Sequence, residues 1–375
     1  MLNLSGLMTA SITYHITLNK KIVAIVWISF SILGSLSGWM VVPYSDVWAL
    51  FFVILTFYLY GMIREKHTWI PWVIVGILFF IGAQIKPTTL IGLIAIVMAE
   101  FLSSSKSSWK QYIKIGIMVM VTVILLSTFS KVTTKMMESL GVNTEQRVTF
   151  MHYLMMGLHE ETLGAISGED LSFSVNIPTV EKRKEQNLRV VKERLRDYGL
   201  EGYIEFLQQK LLMNTNDGSF AWGLEGDFYK IIPKEPMKAS EFLRTFYYNM
   251  GSYYNEDGGK KHSILLSLQQ LIWLCMLLSL CGVACSSQKK ENIIKDTKLN
   301  ATRRLENVAI LNVIGIILFT LLFEARARYL FMSLPMFSIC MGLGLQGILQ
   351  MGQRYLSWFN KKKKCIYQGE NNGDK

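Results

Sequence analysis

The sequence predicts an all-helical, polytopic membrane protein with one large, mainly helical domain outside the bilayer. Three observations carry that prediction. Apolar residues make up 51% of the 375 and are gathered into long uncharged runs. Basic residues collect in every second loop between those runs. One long polar segment, residues 131–262, interrupts the series.

A helix rises about 1.5 Å per residue, so roughly 20 residues cross a hydrocarbon core. Residues 22–42 form a 21-residue run without a charge. Uncharged runs at residues 47–63, 69–85 and 115–129 follow, then 263–285, 308–323 and 330–351, and residues 89–102 make a further span. The shorter runs reach across by anchoring Trp, Tyr and Lys at their ends. This gives eight spans, and residues 1–17 are an apolar candidate for a ninth. The domains expected are 1–130 (membrane), 131–262 (loop domain), 263–351 (membrane) and 352–375 (a cytoplasmic basic tail), with the part after Lys361 expected to lack regular structure.

The net charge of +11 invites a nucleic-acid reading, but the distribution opposes it. Residues 131–262 carry 17 Lys plus Arg against 19 Asp plus Glu. The basic excess sits at Lys20-Lys21, Arg64 to Lys66, Lys106 to Lys114, Lys289 to Arg304 and Lys361 to Lys364. Placing these loops in the cytoplasm puts the large loop outside and the tail inside. The five cysteines lie in or beside spans or in the tail, with neither disulfide-framework nor zinc-ribbon spacing.

With this topology, three short outer turns hold most of the polar residues at membrane depth. Such residues are costly and often kept for function. In Pro43-Tyr44-Ser45-Asp46, Asp46 suits a cation or a sugar hydroxyl, or else a plain helix N-cap. In Lys86-Pro87-Thr88-Thr89, Lys86 suits a phosphate arriving from the bilayer, or else a snorkelling position. In Glu324-Ala325-Arg326-Ala327-Arg328-Tyr329, two arginines offer forked bonds to phosphate oxygens, unless Glu324 simply neutralises one.

In the large loop, helical spacing runs through residues 181–214, with Gly199 and Gly202 as breaks and residues 214–218 as a turn. A polar stretch holds His152, His159, Glu160, Glu161, Glu169 and Asp170. The two histidines, seven apart, set no third metal ligand. Aromatics recur from Phe220 to Tyr254 beside Asp217, Glu225 and Asp227. Phosphate-cradling glycine loops, nucleophile elbows and zinc-protease or kinase motifs are absent from the sequence.

These pieces, in this order, resemble the GT-C superfamily of polytopic glycosyltransferases, and among them bacterial relatives of the dolichyl-phosphate-mannose protein mannosyltransferases (glycosyltransferase family 39). The resemblance rests on Pro43 to Asp46, on Gly82 to Thr88 and on Phe323 to Leu330. The stretches from Met155 to Asp170 and from Asn214 to Phe220 extend it. It implies a polyprenyl-phosphate-linked sugar donor, a cell-wall or surface glycan acceptor and a multi-pass location in the cell membrane. Lys86, Arg326 and Arg328 would hold the donor phosphate. Asp46 would act as an acid or base, touching acceptor or metal, and a divalent cation is compatible with it. Tyr44, His159, Asp170, Asp217, Glu324 and Tyr329 would line the acceptor side. The superfamily's principal acid, in a first outer loop, has no match here. The expectation is a chain beginning near what would be the third span, truncated or inactive on its own. The alternatives are an envelope polysaccharide polymerase or ligase using a diphosphate-linked donor, and a membrane scaffold or transporter. Transporters place ionisable groups at mid-membrane, whereas here they gather at one face.

Overall fold

The computed structural model describes residues 1–64, 68–102, 109–229, 238–248, 259–287 and 297–370. Parts of the expected basic loops (Glu65, Lys66, Lys106 and Lys289 to Lys295), together with Tyr253 and Tyr254, lie outside those residues. Among the described residues there are helices and turns and no strand.

The chain opens with α1 (Leu2–Thr17) and α2 (Lys20–Phe30), then α3 (Ser45–Ile63), α4 (Ile70–Ile85), α5 (Leu90–Leu102) and α6 (Trp109–Ser139). The loop domain contains α7 (Phe150–Met156), α8 (Gly168–Asn176), α9 (Val180–Thr215), the single turn α10 (Trp222–Glu225) and α11 (Lys238–Tyr247). The chain re-enters the bundle through α12 (Lys260–Leu280), α13 (Val283–Ser287), α14 (Thr297–Leu322) and α15 (Leu334–Glu370). Segments 45–63, 109–139, 260–285, 301–322 and 327–359 are long and apolar enough to cross a membrane, and 70–85 and 87–102 are shorter apolar helices.

The first half of α15 is the axis of the bundle. Residues from Leu330 to Leu343 are almost all buried, and α1, α2, α12 and α14 pack around them. Close approach is set by glycine. A Cβ on Gly344 would lie 1.8 Å from the Ser279 carbonyl oxygen, so α12 and α15 touch backbone to backbone there. Without a hydrophobic force between helices in lipid, such close packing is what holds spans together. Helix α1, the candidate ninth span, is an integral part of the bundle. Its buried face carries Ser5, Thr9, Thr13 and Thr17, four residues apart. Each hydroxyl donates to the carbonyl one turn earlier at 2.8–3.1 Å, which satisfies it without water. Helix α6 packs on α4, where Thr122 donates to the Gly76 carbonyl at 3.0 Å.

Three expectations are revised. The uncharged run 22–42 is not one helix. After Phe30 it becomes a π-turn at Ser31–Ser35 and a 3-10 turn at Gly38–Val41. A distant residue packs against this turn, since a Cβ on Gly38 would lie 2.0 Å from the Trp222 ring. The loop domain therefore presses into the point where the span ends. Of the two glycines in α9, only Gly199 (φ 59°) kinks the helix, and Gly202 stays helical. The tail continues α15 as helix to Glu370 rather than losing regular structure.

At the end of the bundle away from the loop domain, Glu100 of α5 is fully buried in a span that otherwise reads as apolar. It accepts from Tyr60 Oη at 2.5 Å and Arg64 Nε at 2.8 Å, and Arg304 Nη1 lies 3.2 Å away. One carboxylate thus ties α3, α5 and α14 together. Breaking a buried pair of this kind typically costs about 3–5 kcal/mol.

Gly344→Val should destabilise the detergent-solubilised protein by at least ~2 kcal/mol through overpacking. Gly116→Ala is its control, since no atom lies within 4 Å of the added Cβ. Thermal unfolding in one detergent should separate the two, with Gly116→Ala neutral or slightly stabilised.

Candidate functional site

Three turns that are far apart in sequence meet on the face of the bundle that carries the loop domain. Tyr44 is the N-cap residue of α3 without a side-chain capping bond, so Asp46 lies in the first turn and is not the cap. It is buried, near a helix N-terminus that favours negative charge. Lys86 follows the last residue of α4, where the helix dipole favours a cation. Pro87 holds Lys86 in an extended conformation (φ −153°, ψ 118°), which turns its side chain inward. The Lys86 ammonium donates to Asp46 Oδ1, 40 residues away, and lies 4.1 Å from the centre of the Tyr329 ring. Lys86 is largely buried and does not snorkel.

The third turn follows α14. Arg326 and Arg328 each donate through Nη1 to one oxygen of Glu225, both at 2.7 Å. Arg328 also lies over the rings of Tyr44, Tyr329 and Trp39 at 4.8, 5.6 and 6.0 Å. Glu324 acts electrostatically on Lys86 and on Lys210 of α9. The structure therefore brings together Tyr44, Asp46, Lys86, Glu324, Arg326, Arg328 and Tyr329. Its formal charges balance, with Asp46, Glu225 and Glu324 against Lys86, Arg326 and Arg328. Balance is required where water is scarce, since an unpaired buried charge is strongly destabilising. Even so, Asp46 Oδ2 and the Nε atoms of Arg326 and Arg328 are buried without a hydrogen-bond partner.

Glu225 is the residue whose role sequence reasoning missed. It lies on a one-turn helix in an irregular part of the loop, where no periodicity marks it. The only signal was its place among aromatics. Asp217 builds the turn that presents it. Its carboxylate accepts from Ser219 N at 2.7 Å, Ser219 Oγ at 2.9 Å and Ala221 N at 2.6 Å. Those bonds support Phe220 and Ala221 in left-handed conformations (φ 55° and 68°) that non-glycine residues seldom adopt. Trp39 Nε1 donates to the Phe220 carbonyl at 2.9 Å, and the Trp39 and Trp222 rings meet edge-on at 5.2 Å. Asp217 thus shapes the lid of the site without reaching its centre.

Asp170 and His159 belong to a different neighbourhood. Asp170 makes a forked pair with Arg194 at 2.7 and 2.8 Å, and Arg194 also donates to the Met155 carbonyl. His159 lines an open cavity of about 450 Å³ with Glu160, Glu161, Glu169 and Tyr198, its Nε2 3.8 Å from Glu169. His152 does not share a helical face with it. Its Nδ1 lies 2.8 Å from Ser174 Oγ, whose proton goes to Asn187 Oδ1. Nδ1 is therefore the donor, and burial holds the ring below the usual histidine pKa. Arg183 is a further hub, donating to the carbonyls of Ser174, Glu145, Arg147 and Ile177 at 2.6–2.9 Å. Among the described residues no group of three His, Cys, Asp or Glu could hold a metal ion.

The loop domain is fastened to the third turn by Lys210. Its buried ammonium donates to the Gly157 and Phe323 carbonyls, the latter at 2.7 Å. Ala325 N donates to the Gly164 carbonyl at 2.8 Å beside it. A Cβ on Gly157 would lie 2.6 Å from the Phe323 backbone, so only glycine permits this contact. Burial pushes the Lys210 pKa down to about 7, opposed by the charge of Glu324.

The sequence profile of the family described as "conserved hypothetical integral membrane protein" matches residues 1–347. No curated protein and no solved structure gives a significant match.

The Lys210 contact predicts a pH signature. The folded pKa lies below the unfolded value near 10.5. The unfolded chain therefore holds the extra proton between about pH 7 and 10, and stability rises with pH across that window. Unfolding measured from pH 7 to 10 should show this rise in the native chain. It should be flatter in Lys210→Met, which is also less stable overall because two carbonyls lose their donor.

Proposed function

We propose that this chain, which belongs to the conserved hypothetical integral membrane protein family, is a GT-C-type glycosyltransferase. It would move a sugar from a polyprenyl-phosphate carrier to a cell-envelope acceptor at the extracytoplasmic face. The observation that supports this reading best is the convergence of Asp46, Lys86, Arg326 and Arg328 from three turns into one buried cluster beside the spans.

Each group has a part in that chemistry. Transfer leaves negative charge on the departing phosphate, and preorganised cations in a poorly hydrated site stabilise it. Arg326 and Arg328 present planar donor forks suited to phosphate oxygens, and Lys86 adds a point charge. Asp46 has one oxygen held by Lys86 and the other, Oδ2, buried and free of hydrogen bonds. In this reading that oxygen would accept the proton of an acceptor hydroxyl as it attacks the sugar carbon. Tyr44, Tyr329 and Trp39 surround the arginine with aromatic faces, which suits packing against a sugar ring. The bilayer would deliver the donor sideways, since the cluster sits at the ends of spans.

In membranes carrying the full protein, Arg326→Gln with Arg328→Gln should lower sugar transfer from a radiolabelled polyprenyl-phosphate donor by at least ~100-fold. Asp46→Asn should lower turnover by a similar factor while leaving donor binding within a few-fold. Full transfer by the double variant, at matched protein level, would rule out the phosphate role. Recovery of polyprenyl diphosphate rather than monophosphate as product would favour a polymerase or ligase.

A further inference from the structure

We propose that Glu225 is a built-in stand-in for the anionic ligand: its carboxylate holds the arginine pair closed, and a phosphate or diphosphate ester must displace it to bind. The inference rests on the anion-site reading above and adds a residue and a gate to it.

Four observations carry it. Glu225 gives one oxygen to each arginine at 2.7 Å, an arrangement that two phosphate oxygens would reproduce. The named carboxylates and cations balance, and even with Lys210 counted beside Glu324 an incoming phosphate dianion would leave the cluster net negative unless a carboxylate departs. Of the three carboxylates, Asp46 is built into α3, and Glu324 lies on the turn that Lys210 and Gly164 fasten. Glu225 alone sits on a single helical turn after two left-handed residues, outside the long helices and the turn that Lys210 fastens. The same short segment exposes Leu224 and Phe228 to 83% and 88%. The segment is held to the site by its inner side, through Glu225 and the Trp222 contacts, while its outer side is open.

The arginines are equipped for the exchange. Their Nε atoms are buried without partners, so each guanidinium has a donor that Glu225 does not use. A tetrahedral phosphate offers more oxygens than a carboxylate, and takes more of the available donors. The aromatic rings around Arg328 would stay in place as the carboxylate leaves. In this arrangement Glu225 keeps the charges paired between turnovers, and it lowers apparent ligand affinity by the fraction of time it occupies the arginines.

The test measures binding of soluble inorganic pyrophosphate and, separately, of polyprenyl phosphate in lipid nanodiscs. The proteins are the full native chain, Glu225→Gln and the Arg326→Gln/Arg328→Gln double variant. The expected result is at least about tenfold tighter binding by Glu225→Gln and loss of binding by the double variant. Tightening for both ligands means the arginines read the phosphate alone, and tightening only in nanodiscs means that the lipid chain is also read. Unchanged or weaker binding by Glu225→Gln, with the double variant still defective, would overturn the gate and leave the anion site standing. Absence of phosphate binding by all three would overturn both. Because Glu225→Gln loses the negative charge and one of the two acceptor oxygens and could unfold, carboxylate footprinting of the native chain serves as the second readout. Labelling of Glu225 should rise when pyrophosphate or the lipid is added, and a fall or no change would contradict displacement.

Discussion

Charges enclosed at the end of an apolar bundle persist only in balanced sets, and that constraint organises this molecule. Asp46 and Lys86 neutralise each other across α3 and α4, and Glu225 pairs with both Arg326 and Arg328 across the junction of loop domain and bundle, where Glu324 supplies the second negative charge. Removing any one partner would leave a charge where little water reaches it, a penalty of about 3–5 kcal/mol. The three turns are therefore held together by electrostatics as much as by packing. At the opposite end of the bundle a buried carboxylate again bridges two cations, with Glu100 between Arg64 and Arg304. Between these ends the spans rely on small residues and close backbone contact, as at Gly344 and along α1.

The loop domain is docked at two places, and each does a different job. Near Gly157, the Lys210 ammonium and the Ala325 amide fasten it rigidly to the turn that bears the arginines. Near Gly38, the Trp222 ring packs where α2 has lost its helical form, and Trp39 holds the Phe220 carbonyl. The first dock fixes the arginines in place. The second carries the segment that covers them. A rigid arginine turn beneath a short, strained covering segment is what a site needs if it must stay paired at rest and open to a charged ligand.

Much of this was legible in the sequence. The uncharged runs marked the spans, because lipid leaves backbone groups no partner outside a helix. Asp46, Lys86, Arg326 and Arg328 stood out because charge at membrane depth is rare. What was hidden has physical causes. The break after Phe30 leads into a turn whose Gly38 packs on Trp222, 184 residues away, a contact that local propensity cannot report. Glu225 lies in a segment whose shape comes from side-chain bonds to Asp217 rather than from periodicity. Glu100 sits within an apolar run, and its two arginine partners come from other helices. His159 and Asp170 were expected on the acceptor side because they fall in the stretch that extends the family resemblance, yet Asp170 is spent on Arg194 and His159 faces a separate cavity.

An integral membrane protein with a neutral, partly unsatisfied cluster at the ends of its spans is suited to a ligand that brings both an anion and a lipid tail. Sugar transfer from such a carrier would use all the groups present: arginines and lysine for the phosphate, Asp46 for the acceptor proton, aromatic rings for the sugar. The most direct measurement is native mass spectrometry of the protein released gently from its own membrane. The account predicts one bound polyprenyl-phosphate lipid on the native chain and its loss from the Arg326→Gln/Arg328→Gln variant. The same lipids in the same amounts on both proteins would contradict it.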